Sequence, residues 1–149
     1  MSSSEMSTRR KTALAMVEAY ETLDVAKIMA FRTPECTFQA LPRSMNRPEM
    51  NNKEYAAHLG QVVKALSNLK IVVEEVFEDA AENKVVLWAR GTADTKVGPY
   101  VNEYILMIYL NESGDRVTRF CEFVDSAFVA GFFPKLHQAL GAKGGPPSA

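Results

Sequence analysis

The sequence predicts an α+β domain in which helices pack on one face of a curved antiparallel sheet. Three observations carry this. Apolar residues recur at helical spacing in the first half, above all Tyr55, Leu59, Val62, Val63 and Leu66. After Asn68 the period drops to two, and four extended runs follow: "LKIVVEEVFED", "NKVVLWARGTAD", "YVNEYILMIYL" and "DRVTRFCEFVD". The links between them, "AAE", "TKVGP" and "NESG", are short and rich in turn formers, which implies antiparallel hairpins. Helices, one strand, a long helix, four consecutive strands and a terminal helix make the pattern of α+β architecture.

Each element has its own justification. A first helix over residues 5–22 carries Leu14, Val17 and Tyr20 on one stripe, with Ser2 and Glu5 as a capping box. Asp24 N-caps a short second helix, "VAKIMAF". "ECTFQAL" reads as a strand stopped by Pro42, and "PRSMNRPEM" as a loop fixed by Pro42 and Pro48. Asn51 with Glu54 caps the helix "KEYAAHLGQVVKAL". After the four strands, Asp125 is placed to N-cap a last helix, "SAFVAGFFPKLHQAL". The domain is expected to span residues 1–140, with "GAKGGPPSA" at 141–149 as a disordered tail.

Composition narrows the function. A chain of 149 residues suits one domain with one core, and a hydrophobic share of 47% with 23% charged is that of a soluble globular protein. The net charge of −1 offers no electrostatic footprint for nucleic acid or an anionic membrane. Cys36 and Cys121 lie in apolar runs and read as reduced core thiols. No apolar run reaches the roughly 18 residues of a membrane helix, and "MSSSEMSTRRK" lacks the apolar core of a secretory signal. A cytoplasmic protein is the expectation. Two isolated histidines and two distant cysteines give no zinc spacing, and neither a P-loop nor a "GxSxG" elbow is present. Neither a metal nor an organic cofactor is expected.

The stretch "RFCEFVD" poses the functional question. Alternation puts Phe120, Glu122 and Val124 on one face and Cys121, Phe123 and Asp125 on the other. Both faces are apolar, yet one keeps Glu122 in its middle. Apolar walls raise the pKa of a carboxylic acid, which suits proton transfer near neutral pH. The alternative is a buried ion pair with Arg90 or Arg119. His58, three residues after Tyr55 and four before Val62, lies on the inward face of its helix, as a proton carrier or a satisfied core histidine. His137 reads as surface.

This order of elements, with "LPRSMNRPEMNNKEY", "GPYVNEYILMIYL" and "EFVDS", resembles the cone-shaped NTF2-like superfamily. Within it, the likeness is to the fungal SnoaL-like proteins of secondary metabolism, which include isomerases that rebuild rings in austinol- and terretonin-type meroterpenoid pathways. The resemblance implies a deep apolar cavity between the concave sheet and the helices, and a homodimer through the convex face. It matches Glu122 to the cavity acid of the last strand, beside Thr118, Phe120 and Val124. It puts Asn102 and Tyr104 inside on the preceding strand, with Glu103, Ile105, Met107 and Tyr109 facing out. On the strand before, Trp88 and Arg90 are expected inside with Val86 and Thr92. The epoxide hydrolase variant of the fold departs. It uses an Arg-x-Asp pair, where Arg90 is here followed by Thr92, and Phe38 and Ala40 stand where Tyr and Asn would be matched.

The expected site is therefore Glu122, His58 and Arg90 for chemistry, with Tyr104, Asn102, Trp88, Phe38 and Phe120 holding a small-molecule substrate. The expected activity is cofactor-free isomerisation, cyclisation or dehydration of a lipophilic polycyclic metabolite. The competing reading is a non-catalytic binding or dimeric interaction module built on the same cavity.

Overall fold

The computed structural model describes residues 5–141. Two helices open the chain, α1 (Thr8–Tyr20) and α2 (Val25–Met29), followed by strand β1 (Arg32–Leu41). A single 3₁₀ turn at Arg43–Met45 leads to α3 (Asn52–Ala65). Four strands follow: β2 (Ser67–Asp79), β3 (Lys84–Asp94), β4 (Tyr100–Leu110) and β5 (Val117–Val124). Helix α4 (Ser126–Ala139) comes last. The 141–149 tail expectation falls on residues that are, apart from Gly141, outside the described ones.

Local chemistry explains most boundaries. Asn51 forms a full capping box with Glu54, and Asp24 and Asp125 cap α2 and α4 through their side chains. Helix α1 starts later than expected. Its cap is Ser7, which accepts from the Arg10 N–H at 3.1 Å, while Ser2 lies outside the described residues. Ser7 also donates to Glu78 of β2 at 2.8 Å, and that long-range contact favours Ser7 as the start.

The five strands form one sheet in the order β1-β5-β4-β3-β2. Three pairings are antiparallel, as the short links require. The fourth is parallel: β1 runs alongside β5, with Phe38 beside Phe120 and Ala40 beside Glu122. No hairpin joins these two strands, so no local signal announces the pair. The sheet's inner face (Val85, Leu87, Ala89, Leu106, Ile108, Phe120) meets Met16, Val17, Leu59, Val129, Phe133 and Leu136 of the helices in one core. The outer face is different: Val72, Phe77, Trp88, Val101, Ile105 and Phe123 remain 38–52% exposed. No described helix is long and apolar enough to cross a membrane.

Candidate active site

Between the inner face and the helices lies a cavity lined from the helices by Val17, Tyr20, Tyr55, His58 and Leu59. Phe38, Tyr100, Tyr104, Leu106, Phe120 and Glu122 line it from the sheet. The strands place these side chains in register. Phe38, Phe120 and Ile108 sit side by side on β1, β5 and β4, and Glu122 lies between Ala40 and Leu106. Tyr104 pairs with Val124, so it is the diagonal neighbour of Glu122 on the same face. From α3 come Tyr55, stacked 4.2 Å from the Phe38 ring, and His58, 6.5 Å from it.

Glu122 is the cavity's one acidic side chain among the described residues, and none of them gives it a salt-bridge or hydrogen-bond partner. It keeps some accessible surface because it looks into the cavity, yet protein encloses the carboxyl. Burial pushes its pKa up to about 7. The ion-pair alternative is thereby corrected: the four ion pairs among the described residues all lie elsewhere. His58 is half-buried, and its pKa is lowered, first by burial and then by the charges of Arg47 and His137. It is neutral at neutral pH. His137, expected at the surface, is half-buried and close enough to act on His58.

Two tyrosine pairs flank the acid. The Tyr20 and Tyr55 hydroxyls share a hydrogen bond at 2.6 Å, and those of Tyr100 and Tyr104 share another. Burial raises the pKa of all four, so they stay protonated and can donate. The Arg32 guanidinium stacks 4.5 Å above the Tyr55 ring and steadies it.

Several expectations require correction. Arg90 and Trp88 are outside the cavity, on the outer face. There Arg90 Nε donates to Glu74 at 2.5 Å and Trp88 Nε1 donates to Glu103 at 2.7 Å. The pairing of β3 with β4 decides this, because Trp88 stands opposite Ile105 and Arg90 opposite Glu103, both outward residues. Water and the Glu74 carboxylate are both available to the guanidinium there, whereas the cavity would strip it of its hydration. Val86 and Thr92 turn outward with them, while Leu87, Ala89 and Gly91 face in. Asn102 points inward but stops behind the cavity wall, bonded to the Tyr100 hydroxyl and to the backbone. Thr118 and Val124 also miss the wall; the Thr118 hydroxyl donates to the Tyr109 carbonyl. The expectation overlooked Tyr20, Tyr55 and Tyr100. For Tyr100 the signal was available, since it shares strand parity with Asn102 and Tyr104.

Among the described residues no three His, Cys, Asp or Glu side chains gather as a metal would require. What the site can do is move protons: one carboxyl poised near neutrality, one neutral imidazole and four protonated phenols, in apolar walls.

No family model matches the chain. The Core atranone cluster protein 11 of Stachybotrys chlorohalonatus is 31% identical over 131 residues, covering 88% of this chain and 98% of that protein. The solved AusH of Aspergillus nidulans is 31% identical with a TM-score of 0.76, over 80% of this chain and 84% of AusH. The chain belongs to the fungal SnoaL-like family of secondary metabolism. Relatives include a Cryptosporiopsis protein named as a monooxygenase, 30% identical over 93% of this chain and 94% of its own length. In fold alone, the chain also resembles the BvnE pinacolase of Penicillium brevicompactum (TM-score 0.84, 22% identity, 90% and 96% covered). That likeness reaches also a SnoaL-like polyketide cyclase fold from Shewanella denitrificans (0.70, 10%, 85% and 97%).

Proposed function

We propose that this family member is an isomerase or cyclase that rearranges a lipophilic polyketide or terpenoid intermediate by moving a proton inside the cavity. The observation that carries the reading is Glu122: an unpaired carboxyl facing an apolar cavity, held near neutrality by burial. A carboxyl kept for stability would have a partner, whereas one kept for proton transfer needs a free face. Glu122 takes a proton from carbon next to a substrate carbonyl, or from a hydroxyl, and electron density moves onto the oxygen. The Tyr104 hydroxyl steadies that oxygen by a hydrogen bond in a water-poor site. Protonated Glu122 then returns the proton to a different atom, completing an isomerisation with no net change in composition. His58, being neutral, suits accepting or relaying a proton rather than supplying its own. Phe38, Tyr55 and Phe120 fold the substrate against the acid.

The test is turnover of intermediates from the gene's own biosynthetic neighbourhood by wild type and Glu122→Gln. A product of unchanged mass is expected, with the variant slower by about 100- to 10,000-fold. A folded variant with full turnover sinks the assignment. A second reading, oxygenation, is favoured by the name of the Cryptosporiopsis relative. It would appear as a product heavier by one oxygen. Saturable binding of an intermediate without any product would instead mark the cavity as a binding module.

A further inference from the structure

Three residues of β4 form a hydrogen-bond chain whose direction can be read. Asn102 is 2% exposed, and its Oδ1 accepts from the backbone N–H groups of Glu103 at 2.9 Å and Asp125 at 3.3 Å. Backbone N–H groups only donate, which fixes the oxygen end of the amide there and turns the amino end away. That end donates to the Tyr100 hydroxyl at 3.0 Å, and the Tyr100 hydroxyl shares a hydrogen bond with that of Tyr104. Each hydroxyl has one hydrogen, and their shared bond uses one of the two. Either hydroxyl could donate, but one that accepts a hydrogen bond becomes a stronger donor, which biases Tyr100, loaded by Asn102, toward donating to Tyr104. In that direction Tyr104 keeps its own hydrogen. No other hydrogen bond of its hydroxyl exists among the described residues, and the residue lines the cavity.

We infer that Asn102 is a positioning residue that sets Tyr104 as a hydrogen-bond donor into the cavity, and that the substrate is oriented there by a ketone or ester carbonyl oxygen. Gly91 makes room for this arrangement, because a Cβ at that position would lie 2.8 Å from the Tyr104 hydroxyl oxygen and 3.0 Å from its ring. An oxygen held by Tyr104 places the neighbouring carbon toward Glu122, its diagonal neighbour. The inference deepens the proton-transfer reading and rests on it only for the claim that the held oxygen is the reacting one.

The probe is acetophenone, compared with α-methylstyrene, which has the same shape and no acceptor. Wild type should prefer the ketone by about two- to ten-fold, the worth of one neutral hydrogen bond. The carbonyl stretch of the bound ketone should lie below its value in hydrocarbon solvent. Tyr104→Phe should abolish the preference and restore the solvent value, while Tyr100→Phe should retain the lowered stretch. Asn102→Ala, which removes the bias, should bring the stretch partway back. No ketone binding up to its solubility, an unchanged band in Tyr104→Phe, or loss of the shift in Tyr100→Phe alone would overturn the inference. An unchanged band in folded Asn102→Ala overturns the role of Asn102, and if that variant does not fold, the two phenylalanine variants decide the direction. The two readings fail separately. Glu122→Gln with full turnover ends the proton-transfer reading and leaves the band untouched, whereas a band indifferent to Tyr104→Phe ends this inference alone.

Discussion

An acid buried without a counter-charge affects stability as well as chemistry. Because the folded-state pKa of Glu122 is raised to about 7 while the unfolded chain has the ordinary carboxylate value, the native state binds more protons between those limits. Stability should therefore fall as pH rises from about 5 to 7 and level off above. His58 acts in the opposite sense, since its lowered pKa makes the native state lose stability as pH falls through the ordinary histidine range. The difference between wild type and Glu122→Gln isolates the acid: thermal melts across this range should show the variant gaining on wild type as pH rises. Equal slopes would mean that Glu122 titrates normally. Gly91→Ala should cost about 1–3 kcal/mol by overpacking, read by urea denaturation, because its Cβ meets Tyr104. At this scale the sequence was only partly legible. The parity of β5 grouped Glu122 with Phe120 and Val124, and the family resemblance, not the neighbours, turned that face inward. For β3 the resemblance implied Trp88 and Arg90 inside, and the local sequence could not correct it, because Trp88 and Val86 are as apolar as the residues that do face in. The small residues are the inward ones because Tyr104 fills the space they leave.

Among elements, α3 carries the most function, since it presents both Tyr55 and His58. Its start depends on the reciprocal bonds between Asn51 and Glu54, at 2.9 Å and 3.1 Å. Asn51→Ala should cost about 1 kcal/mol, which lowers the melting temperature by about 2–4 °C in a chain of this size. Little change on a thermal melt would show that tertiary packing alone sets this terminus. Elements were the most legible level, because caps and periodicity are local. Asp24, Asn51 and Asp125 each announce a helix within four residues of themselves. The start of α1 is not legible locally, because its cap, Ser7, is selected by Glu78, far away in sequence. The parallel pairing of β1 with β5 escaped for the same reason.

For the whole molecule, the exposed outer row of Trp88, Ile105 and Phe123, adjacent on β3, β4 and β5, is a contiguous apolar patch that water solvates poorly. A second copy of the chain is expected to cover it, making a two-fold dimer. Light scattering should return twice the chain mass for wild type, and Phe123→Glu should shift the value toward one chain. A wild-type monomer at tens of micromolar, a concentration chosen for the test, would end this expectation. The strand order has another consequence, for synthesis. Because β5 lies between β1 and β4, everything up to Leu110 emerges from the ribosome before the strand that unites them. Until then β1 has no sheet partner, and the half-built cavity lacks the wall that bears its acid. Nascent chains in that interval expose both an unpaired strand edge and apolar interior, so they are the species for which chaperones should compete. The protein cannot possess a partial active site early: the residue that gives the cavity its chemistry arrives with the strand that closes it.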